Sequence, residues 1–348
     1  MNENRLVYPT PFLGKLSDDQ VNLWQSEGFA FISGMLPKEL IASVRSAAAS
    51  KYPEAGTPEA ESISDFGSFG ALNFPSQVSA LNELTLHPSL LQSVADLLAT
   101  AVKDLRLTQS DLWCKYGRSL KTGEHDNQDN QDQRIHIDYP NHTLAHPTPW
   151  ERPEAVEMIV YYDHFEETGG STAVVPRQGT DDPAYRWPIV DSPGIGDLRY
   201  INDRTSAEAY FSAQRPELAD WRNLLYEREL HVAFQPGDIL FYRHDTWHRG
   251  TPMIPGSRRI VQNLTFRRAY AEWISTLHIG WAWSAYRDNK FLERLIAGSS
   301  LEQRAVLGFP QPGSEYWCDA TLAAVEARFG IFGMDMKPYR DAFSSRLG

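Results

Sequence analysis

The sequence predicts a mainly β protein with flanking helices, whose core is an antiparallel barrel or double sheet of the jelly-roll (cupin-like) type. Short segments rich in β-branched and aromatic residues follow one another from about residue 107, separated by Gly, Pro or polar turns. Helices do not alternate regularly with these segments, as they would in a parallel βαβ fold. The predicted strands are LTQSDLWCKYG, RIHIDY, EMIVYYDHF, STAVVP, LHVAFQ, DILFYR and RRIVQNLTFRR.

The chain opens with a predicted helix, strand and helix. Ser17 and Gln20 form a capping box at the start of a short helix, and the stretch GFAFISG then indicates a strand between two glycines. Pro37 suits a first helical position, and apolar residues recur at helical spacing from there to about Lys51.

The remaining segments complete one predicted domain over residues 1–348. Gly, Pro, Ser and Glu are frequent from residue 53 to 78, which favours a loop, and the stretch LHPSLLQSVADLLATAV returns to helical spacing. A helix in PELADWRNLLYERE interrupts the strands, and the link 176–216 is expected to be irregular surface or a lid. We expect the β core at about 107–268 and a helical extension at 269–348.

Composition and charge exclude several classes of protein. With 348 residues and 42% hydrophobic content the chain can bury a substantial core, and its net charge of −12 argues against nucleic acid as a partner. Cys114 and Cys318 are far apart, so we expect a reducing compartment and no disulfide framework. The start lacks the apolar run of a signal peptide, and no stretch approaches the ~18 apolar residues of a membrane span. We therefore expect a cytoplasmic protein without a membrane partner.

A His-x-Asp pair follows a polar tract. Residues 126–133 are all Asp, Asn or Gln and predict a solvated loop, after which the pattern alternates. In an extended strand His136 and Asp138 point to the same face, while Ile135 and Ile137 point to the other. The pair is a candidate for two metal ligands; the alternative is a structural His136 hydrogen-bonded near Asp138.

A third ligand is available further along the chain. The stretch QPGDILFYRHDTWHRGTP offers His244 and His248, and either would complete the two-His, one-carboxylate triad of non-haem iron. Arg258 and Arg259 stand at the head of the next strand. An arginine near such a metal can hold the distal carboxylate of a bidentate acid.

Four ordered motifs together resemble the phytanoyl-CoA dioxygenase (PhyH) family of Fe(II)- and 2-oxoglutarate-dependent oxygenases. The motifs are LSDDQVNLWQSEGFAFISGMLP, RIHIDY, GGSTAVVP and the stretch from GDILFYRHDTWHRGTP to SRRI. The resemblance covers roughly Leu16 to Arg268. It implies a double-stranded β-helix core and the use of Fe(II), 2-oxoglutarate and O2.

Carried over by motif position, the resemblance implies that His136, Asp138 and His248 bind iron. It implies that Arg259, eleven residues after His248, holds the far carboxylate of 2-oxoglutarate, with Arg258 as the alternative if the turn shifts by one residue.

Other positions carry weaker implications. His244 is disfavoured as the last ligand because the family's histidine follows the Asp of Gly-Asp by ten residues, and Asp238 plus ten gives 248. Lys115 matches a strand position near the co-substrate; the alternative is an exposed lysine. The family often has a hydroxyl residue where this chain has Gly250, and Thr251 is a candidate substitute. Residues 176–179 depart from the family's PGSH.

The implied reaction couples decarboxylation of 2-oxoglutarate to succinate and CO2 with oxidation of an unactivated C–H bond. Hydroxylation is the expected outcome, with desaturation or oxidative ring closure as the alternatives. Asp138 argues against a halogenase, since halogenating relatives replace this carboxylate with a small residue. A non-catalytic, cupin-like metal or small-molecule binding protein is the alternative of another class, and the Arg259 clamp argues against it.

The substrate is expected to be a small metabolite or natural-product intermediate. A coenzyme A ester needs a cluster of cations for its phosphates, and the basic residues here are scattered. Arg134, Arg177 and Arg243 lie beside the motif strands and would suit a carboxylated substrate, with Tyr139 as a further contact; the alternative is solvated arginines. The loop 124–133 is a candidate lid or a plain connector. The C-terminal tail is expected to be a wall, a lid, extra core or a dimer interface, and the protein a monomer or homodimer.

Overall fold

The computed structural model places two β-sheets and a set of helices around them. It describes residues 5–63, 72, 74–117, 132–138, 150–185, 202–271, 291–307, 309–314, 317, 319, 322, 325–326 and 329–347.

The strands lie mainly in the predicted β region. They are β1 (Leu6–Val7), β2 (Thr10–Pro11), β3 (Phe29–Ser33), β4 (Leu105–Tyr116), β5 (Ala155–Tyr161), β6 (Thr172–Val174), β7 (Leu230–Val232), β8 (Ile239–Tyr242), β9 (His248–Gly250) and β10 (Arg258–Arg268). The larger sheet has the order β2-β3-β8-β5-β10-β4 and the smaller sheet the order β1-β7-β6-β9. Their pairs are antiparallel except β1 with β7 and β2 with β3.

The helices are concentrated before the first long strand and after the last one. They are α1 (Asp18–Glu27), α2 (Lys38–Ala49), α3 (Pro58–Glu61), α4 (Ser79–Thr85), α5 (Pro88–Leu97), α6 (Phe165–Thr168), α7 (Arg204–Gln214), α8 (Ala219–Arg228), α9 (Phe291–Gly298), α10 (Leu301–Val306) and α11 (Lys337–Leu347). No helix in this described part of the chain combines the length and apolarity needed to cross a bilayer.

Two apolar layers cover the two faces of the larger sheet. On the outer face, Ile260, Leu264 and Phe266 of β10 belong to a core that also contains the buried residues of α1, α2, α4 and α5. On the inner face a second cluster joins the two sheets, because it includes Tyr161 and Val261 of the larger sheet and residues of β6 and β7. Strand alternation thus gives β10 one face for the helices and one for the space between the sheets.

The N-terminal elements form where the sequence predicts them. Ser17 Oγ accepts from Gln20 N–H at 3.2 Å, and Gln20 Oε1 accepts from Ser17 N–H at 2.9 Å, so both halves of the capping box are present. Helix α1 ends at Gly28, whose φ of 96° suits glycine. A Cβ there would lie 2.5 Å from Thr246 Oγ1, so glycine also permits the close approach of this turn to the segment before β9.

Two segments differ from the sequence-based expectation. The described part of the stretch RIHIDY, residues 134–138, forms only an isolated bridge between His136 and His248, not a strand. The ladder stops because Gly250 N–H donates to the side-chain oxygen of Gln133, at 2.7 Å, and Gly250 O accepts from Gln133 N–H at 3.0 Å. In the link 176–216, expected to be irregular, the structure forms α7, capped by Asp203, whose carboxylate accepts from Ser206 N–H.

The C-terminal segment is attached to the main body. Val306 belongs to the main core, and Ala305 O accepts a hydrogen bond from Arg106 of β4 at 2.8 Å. A separate aromatic cluster lies beyond it, and Trp317 and Tyr339 are its largest members. The described part of the extension is therefore folded around its own apolar cluster and tied to β4.

Candidate metal and co-substrate site

A cavity of about 290 Å³ lies between the two sheets and contains the predicted ligands. Its lining includes His136, Asp138, His248, Lys115 and Arg259. His248 belongs to β9 of the smaller sheet, and His136 and Asp138 belong to the segment 132–138, which is bridged to β9. The two cations come from the larger sheet, Lys115 from β4 and Arg259 from β10.

A backbone bridge holds the two histidines side by side. His136 N–H donates to His248 O and His248 N–H donates to His136 O, both at 2.9 Å. Their ring centroids are 4.5 Å apart. The bridge brings together two side chains that are 112 positions apart in the sequence.

Each imidazole is fixed through its Nδ1 atom. His136 Nδ1 lies 3.0 Å from Arg134 O, and His248 Nδ1 lies 2.9 Å from Thr246 O. A carbonyl oxygen can only accept, so each Nδ1 carries a proton, and in the neutral ring Nε2 keeps its lone pair. Both rings are therefore in the tautomer that a metal ligand through Nε2 requires.

Asp138 completes the group. Its N–H donates to His244 O at 3.2 Å, which fixes the turn after the bridge. Its Oδ2 lies 3.2 Å from His248 Nε2 and its Oδ1 lies 3.9 Å from His136 Nε2. The three potential ligand atoms lie within 4.8 Å of one another, and no other such group of His, Cys, Asp or Glu is found in the described residues. Two His nitrogens and one carboxylate form the donor set of non-haem Fe(II).

Burial and charge keep His136 neutral. Burial, followed by the neighbouring His248, lowers the pKa of His136 to about 3. Burial also opposes protonation of His248, but the charge of Asp138 and its hydrogen bond outweigh burial and raise the His248 pKa. A metal cation bound between them would replace that proton as the partner of Asp138.

Tyr242 and Glu157 surround the carboxylate from the larger sheet. Tyr242 donates its hydroxyl to Asp138 Oδ2 at 3.5 Å, and its ring lies 4.8 Å from that of His248. Glu157 is opposite Tyr242 in the β5–β8 pair. Burial, and then the charge of Asp138, raise the Glu157 pKa well above its ordinary value.

Arg259 is a buried cation with unused donors. It is only 5% exposed and lines the cavity, and its Nε and Nη1 have no hydrogen-bond partner in the described structure. Burial lowers the pKa of Arg259, and Tyr161 and Asp163 partly oppose this shift. A Cβ on Gly170 would lie 3.1 Å from Arg259 Nη1, so glycine leaves room for the guanidinium. An anion bound here would compensate an otherwise costly buried charge.

The other predicted co-substrate residues fall in different places. Lys115 is opposite Arg259 in the β4–β10 pair and lines the same cavity. Arg258 faces away, and its Nη1 donates to Tyr52 O and Pro53 O at 2.8 and 2.9 Å. Thr251 donates its hydroxyl to Ser171 O at 3.0 Å and is not among the lining residues.

The predicted substrate arginines are not brought to this cavity. Arg243 pairs with Asp245 at 2.9 Å, and both Arg243 and Arg177 lie over the ring of Trp150, at 3.7 and 4.6 Å. Arg134 is 1% exposed and is absent from the lining. His244 is also buried and absent from the lining, and its backbone oxygen positions Asp138. Tyr139 and most of the loop 124–133 lie outside the described residues.

The sequence interpretation missed a polar network that holds the segment before His136. Gln133, assigned to a solvated loop, is 6% exposed and donates to Asn202 Oδ1 at 2.9 Å. Arg249 donates twice to Glu229, at 2.7 Å each, and also to Asp132. Burial alone would raise the pKa of Glu229, but Arg249 lowers it to about 2.

The sequence interpretation also missed much of the cavity wall. Gln109 and Trp113 on β4, and Val261, Asn263 and Thr265 on β10, line it. They share the odd-numbered face of Lys115 and Arg259, so strand alternation from those two residues could have found them.

A two-His, one-carboxylate group facing a buried, unpaired arginine between two β-sheets defines a non-haem metal site with a place for an anionic co-substrate. The sequence matches the phytanoyl-CoA dioxygenase (PhyH) family over residues 24–261. The chain belongs to this family and is an enzyme of its class, an Fe(II)- and 2-oxoglutarate-dependent oxygenase. The donor set and Arg259 fit Fe(II) and 2-oxoglutarate, which are the cofactor and co-substrate of that class.

Solved structures are similar to this chain at low sequence identity. The carbocyclase SnoK from nogalamycin biosynthesis is 14% identical, with a TM-score of 0.50 over 78% of this chain and 91% of SnoK. EvdO2 from Micromonospora carbonacea var. aurantiaca, solved with 2-oxoglutarate, is 15% identical, with a TM-score of 0.48 over 78% of this chain and 99% of EvdO2. The epimerase SnoN is 14% identical, with a TM-score of 0.44 over 72% of this chain and 82% of SnoN. No curated protein matches the sequence.

Proposed function

We propose that this enzyme oxidises an unactivated C–H bond of a small metabolite or natural-product intermediate, with hydroxylation as the outcome, and releases succinate and CO2. The observation that carries the proposal is Arg259, whose unpaired guanidinium nitrogens are buried in the same cavity as the His136, Asp138 and His248 group. A dicarboxylate that reaches from the metal to the guanidinium would satisfy both at once.

Each residue then has a role set by its contacts. His136, Asp138 and His248 would hold iron through Nε2 and carboxylate atoms, and Arg259, with Lys115 beside it, would bind the far carboxylate of 2-oxoglutarate. When bound, Fe(II) with 2-oxoglutarate supplies the oxygen activation needed to attack a C–H bond. The protein orients the reactants through these contacts. It also excludes water, because the cavity lies between the two sheets. Thr251 would not contact the co-substrate directly. Its hydroxyl donates to Ser171 O, so it would act by positioning that part of the backbone.

We further propose that the two sheets form a double-stranded β-helix and that residues 1–348 are one catalytic domain. The inner-face cluster that joins residues of both sheets supports the first proposal. The contacts of the C-terminal extension with β4 support the second.

In a non-catalytic metal-binding protein, Arg259 would have no co-substrate carboxylate to bind. An isolated buried guanidinium with unpaired donors destabilises a fold. A neutral residue at position 259 would therefore cost such a protein little stability.

The test is the formation of succinate from 2-oxoglutarate under air, with and without Fe(II). Wild type should form succinate only with iron, and Asp138→Ala and Arg259→Gln should lose at least about tenfold. Arg258→Gln is the matched control, because Arg258 contacts backbone on the other face of β10. Iron-independent succinate, or equal losses in both arginine variants, would refute the proposal.

A further inference from the structure

The cavity has a second polar end, remote from Arg259. Along β10, Arg259, Val261, Asn263 and Thr265 all line the cavity. Alternate residues of a strand share a face, and at about 3.3 Å per residue Asn263 stands about 13 Å from Arg259. Val261 and its partner Trp113 of β4 form the apolar wall in between, and Ile159 of β5 stands opposite Asn263.

The metal ligands lie near the Asn263 end of the sheet. Thr265 pairs with Glu157, and Glu157 pairs with Tyr242 on the next strand. The Tyr242 hydroxyl reaches Asp138 Oδ2 at 3.5 Å. If 2-oxoglutarate extends from the metal towards Arg259, this end of the cavity is left for the substrate.

Hydrogen-bonding groups fix the shape of this end. Thr265 donates its hydroxyl to Gln109 Oε1 at 2.9 Å, and Gln109 Nε2 donates to Asp111 Oδ2 at 3.0 Å. Asn263 stands opposite Asp111 in the β4–β10 pair. Its Oδ1 atom is buried and has no hydrogen-bond partner in the described part of the chain. A buried acceptor without a partner is costly, and a donor from a bound molecule would satisfy it.

The charges at this end disfavour a carboxylate. Asp111, which stands opposite Asn263, is buried at 6% exposure. Of the cations that line the cavity, Arg259 and Lys115 lie at the opposite end, and Arg249 is paired with Glu229. A substrate carboxylate beside Asn263 would meet the Asp111 carboxylate and an acceptor atom, and the cavity lining places no unpaired cationic side chain next to it.

We propose that Asn263 determines substrate specificity by accepting a hydrogen bond from a neutral donor on the substrate, a hydroxyl or an amide N–H, and that this part of the substrate carries no carboxylate. The inference rests on the proposed function, because it assigns the substrate end of the same cavity. It replaces the carboxylated substrate expected from Arg134, Arg177 and Arg243.

The test uses the full chain with Fe(II) and 2-oxoglutarate, without O2. The probes share one ring: cyclohexane-1,2-diol, cyclohexanecarboxamide and cyclohexanecarboxylate. Ligand-observed NMR measures their binding to wild type, Asn263→Leu and Asn263→Asp. The diol and the carboxamide should bind wild type, the carboxylate should bind far more weakly, and Asn263→Leu should weaken the neutral probes about tenfold or more. Asn263→Asp keeps an acceptor and should retain the diol.

The controls separate this inference from the proposed function. The visible absorption band of Fe(II) with 2-oxoglutarate reports the Arg259 end and the folding of each variant. With that band present, preferential binding of the carboxylate, equal binding of the diol to wild type and Asn263→Leu, or no binding of any probe would overturn the inference. Absence of the band from wild type would overturn the proposed function itself.

Discussion

Replacing Arg259 with Met should make the free protein more stable while it abolishes co-substrate binding. Wild-type Arg259 is 5% exposed, and its Nε and Nη1 have no hydrogen-bond partner in the described structure. Methionine fills similar space without a charge to bury. The same substitution therefore removes a cost in the free enzyme and a gain in the complex.

The magnitudes follow from the fork of two parallel N–H donors that a guanidinium offers to one carboxylate. A hydrogen bond to a charged group contributes about 1.5–3 kcal/mol, so two bonds to one carboxylate contribute roughly 3–6 kcal/mol. At about 1.4 kcal/mol per tenfold, Arg259→Met should weaken 2-oxoglutarate binding by about 10² to 10⁴. In the free enzyme, removing the unpaired buried groups should stabilise by about 1 kcal/mol or more, which raises Tm by about 2 °C.

The assay is thermal unfolding with Fe(II), without O2, over a titration of 2-oxoglutarate. Wild type should gain several degrees at saturation, and Arg259→Met should start higher and gain nothing. Arg258→Met is the control: it loses hydrogen bonds to Tyr52 O and Pro53 O, so Tm should fall while the 2-oxoglutarate shift persists. A wild-type-like shift in Arg259→Met, or a free-protein Tm below wild type, would refute the reasoning.

Three further predictions concern the surroundings of the site. Gly170→Ala should lower Tm, because φ is +63°, and should weaken 2-oxoglutarate binding, because the added Cβ would lie 3.1 Å from Arg259 Nη1. Gly179→Ala is the control: its φ is +81° and nothing lies within 4 Å of the added Cβ, so it should only lower Tm. Arg249 lowers the pKa of Glu229 from 4.5 to about 2 against the effect of burial, so this stabilisation is present above pH 4.5 and is lost as the pH falls towards 2. Glu229→Gln should therefore lower Tm at pH 7 by an amount that shrinks at pH 3, and a constant difference would contradict this. Fe(II) should raise the wild-type Tm, a chelator should reverse the rise, and Asp138→Ala should show neither effect.

The long strands and the residues of the site could be predicted from the sequence, the strands from alternation and the site residues from motif spacing. Strand β10 occupies the expected RRIVQNLTFRR in full, because its alternation of apolar and polar residues serves two different faces. Arg259 was distinguished from Arg258 by motif spacing, and the structure places the two side chains on opposite faces of that strand.

Features that depend on long-range polar contacts could not be predicted. The segment carrying His136 contains a strand pattern, yet Gln133 diverts the hydrogen bond of Gly250 and ends the ladder. The hydrogen bonds of Arg249 join it to residues 20 to 117 positions away, and no local pattern encodes such a partner choice. Gln133 resembles the Asp, Asn and Gln residues before it in side-chain type, so composition could not predict that the fold buries it.

The central claim is that His136, Asp138, His248 and Arg259 form one site for Fe(II) and 2-oxoglutarate. The most direct measurement is anaerobic addition of Fe(II) and then 2-oxoglutarate, while following the weak visible metal-to-ligand charge-transfer band. We predict a band in wild type, its loss or alteration in Asp138→Ala, and a far higher 2-oxoglutarate requirement in Arg259→Ala than in Arg258→Ala. No band in wild type at saturating metal and co-substrate would contradict it.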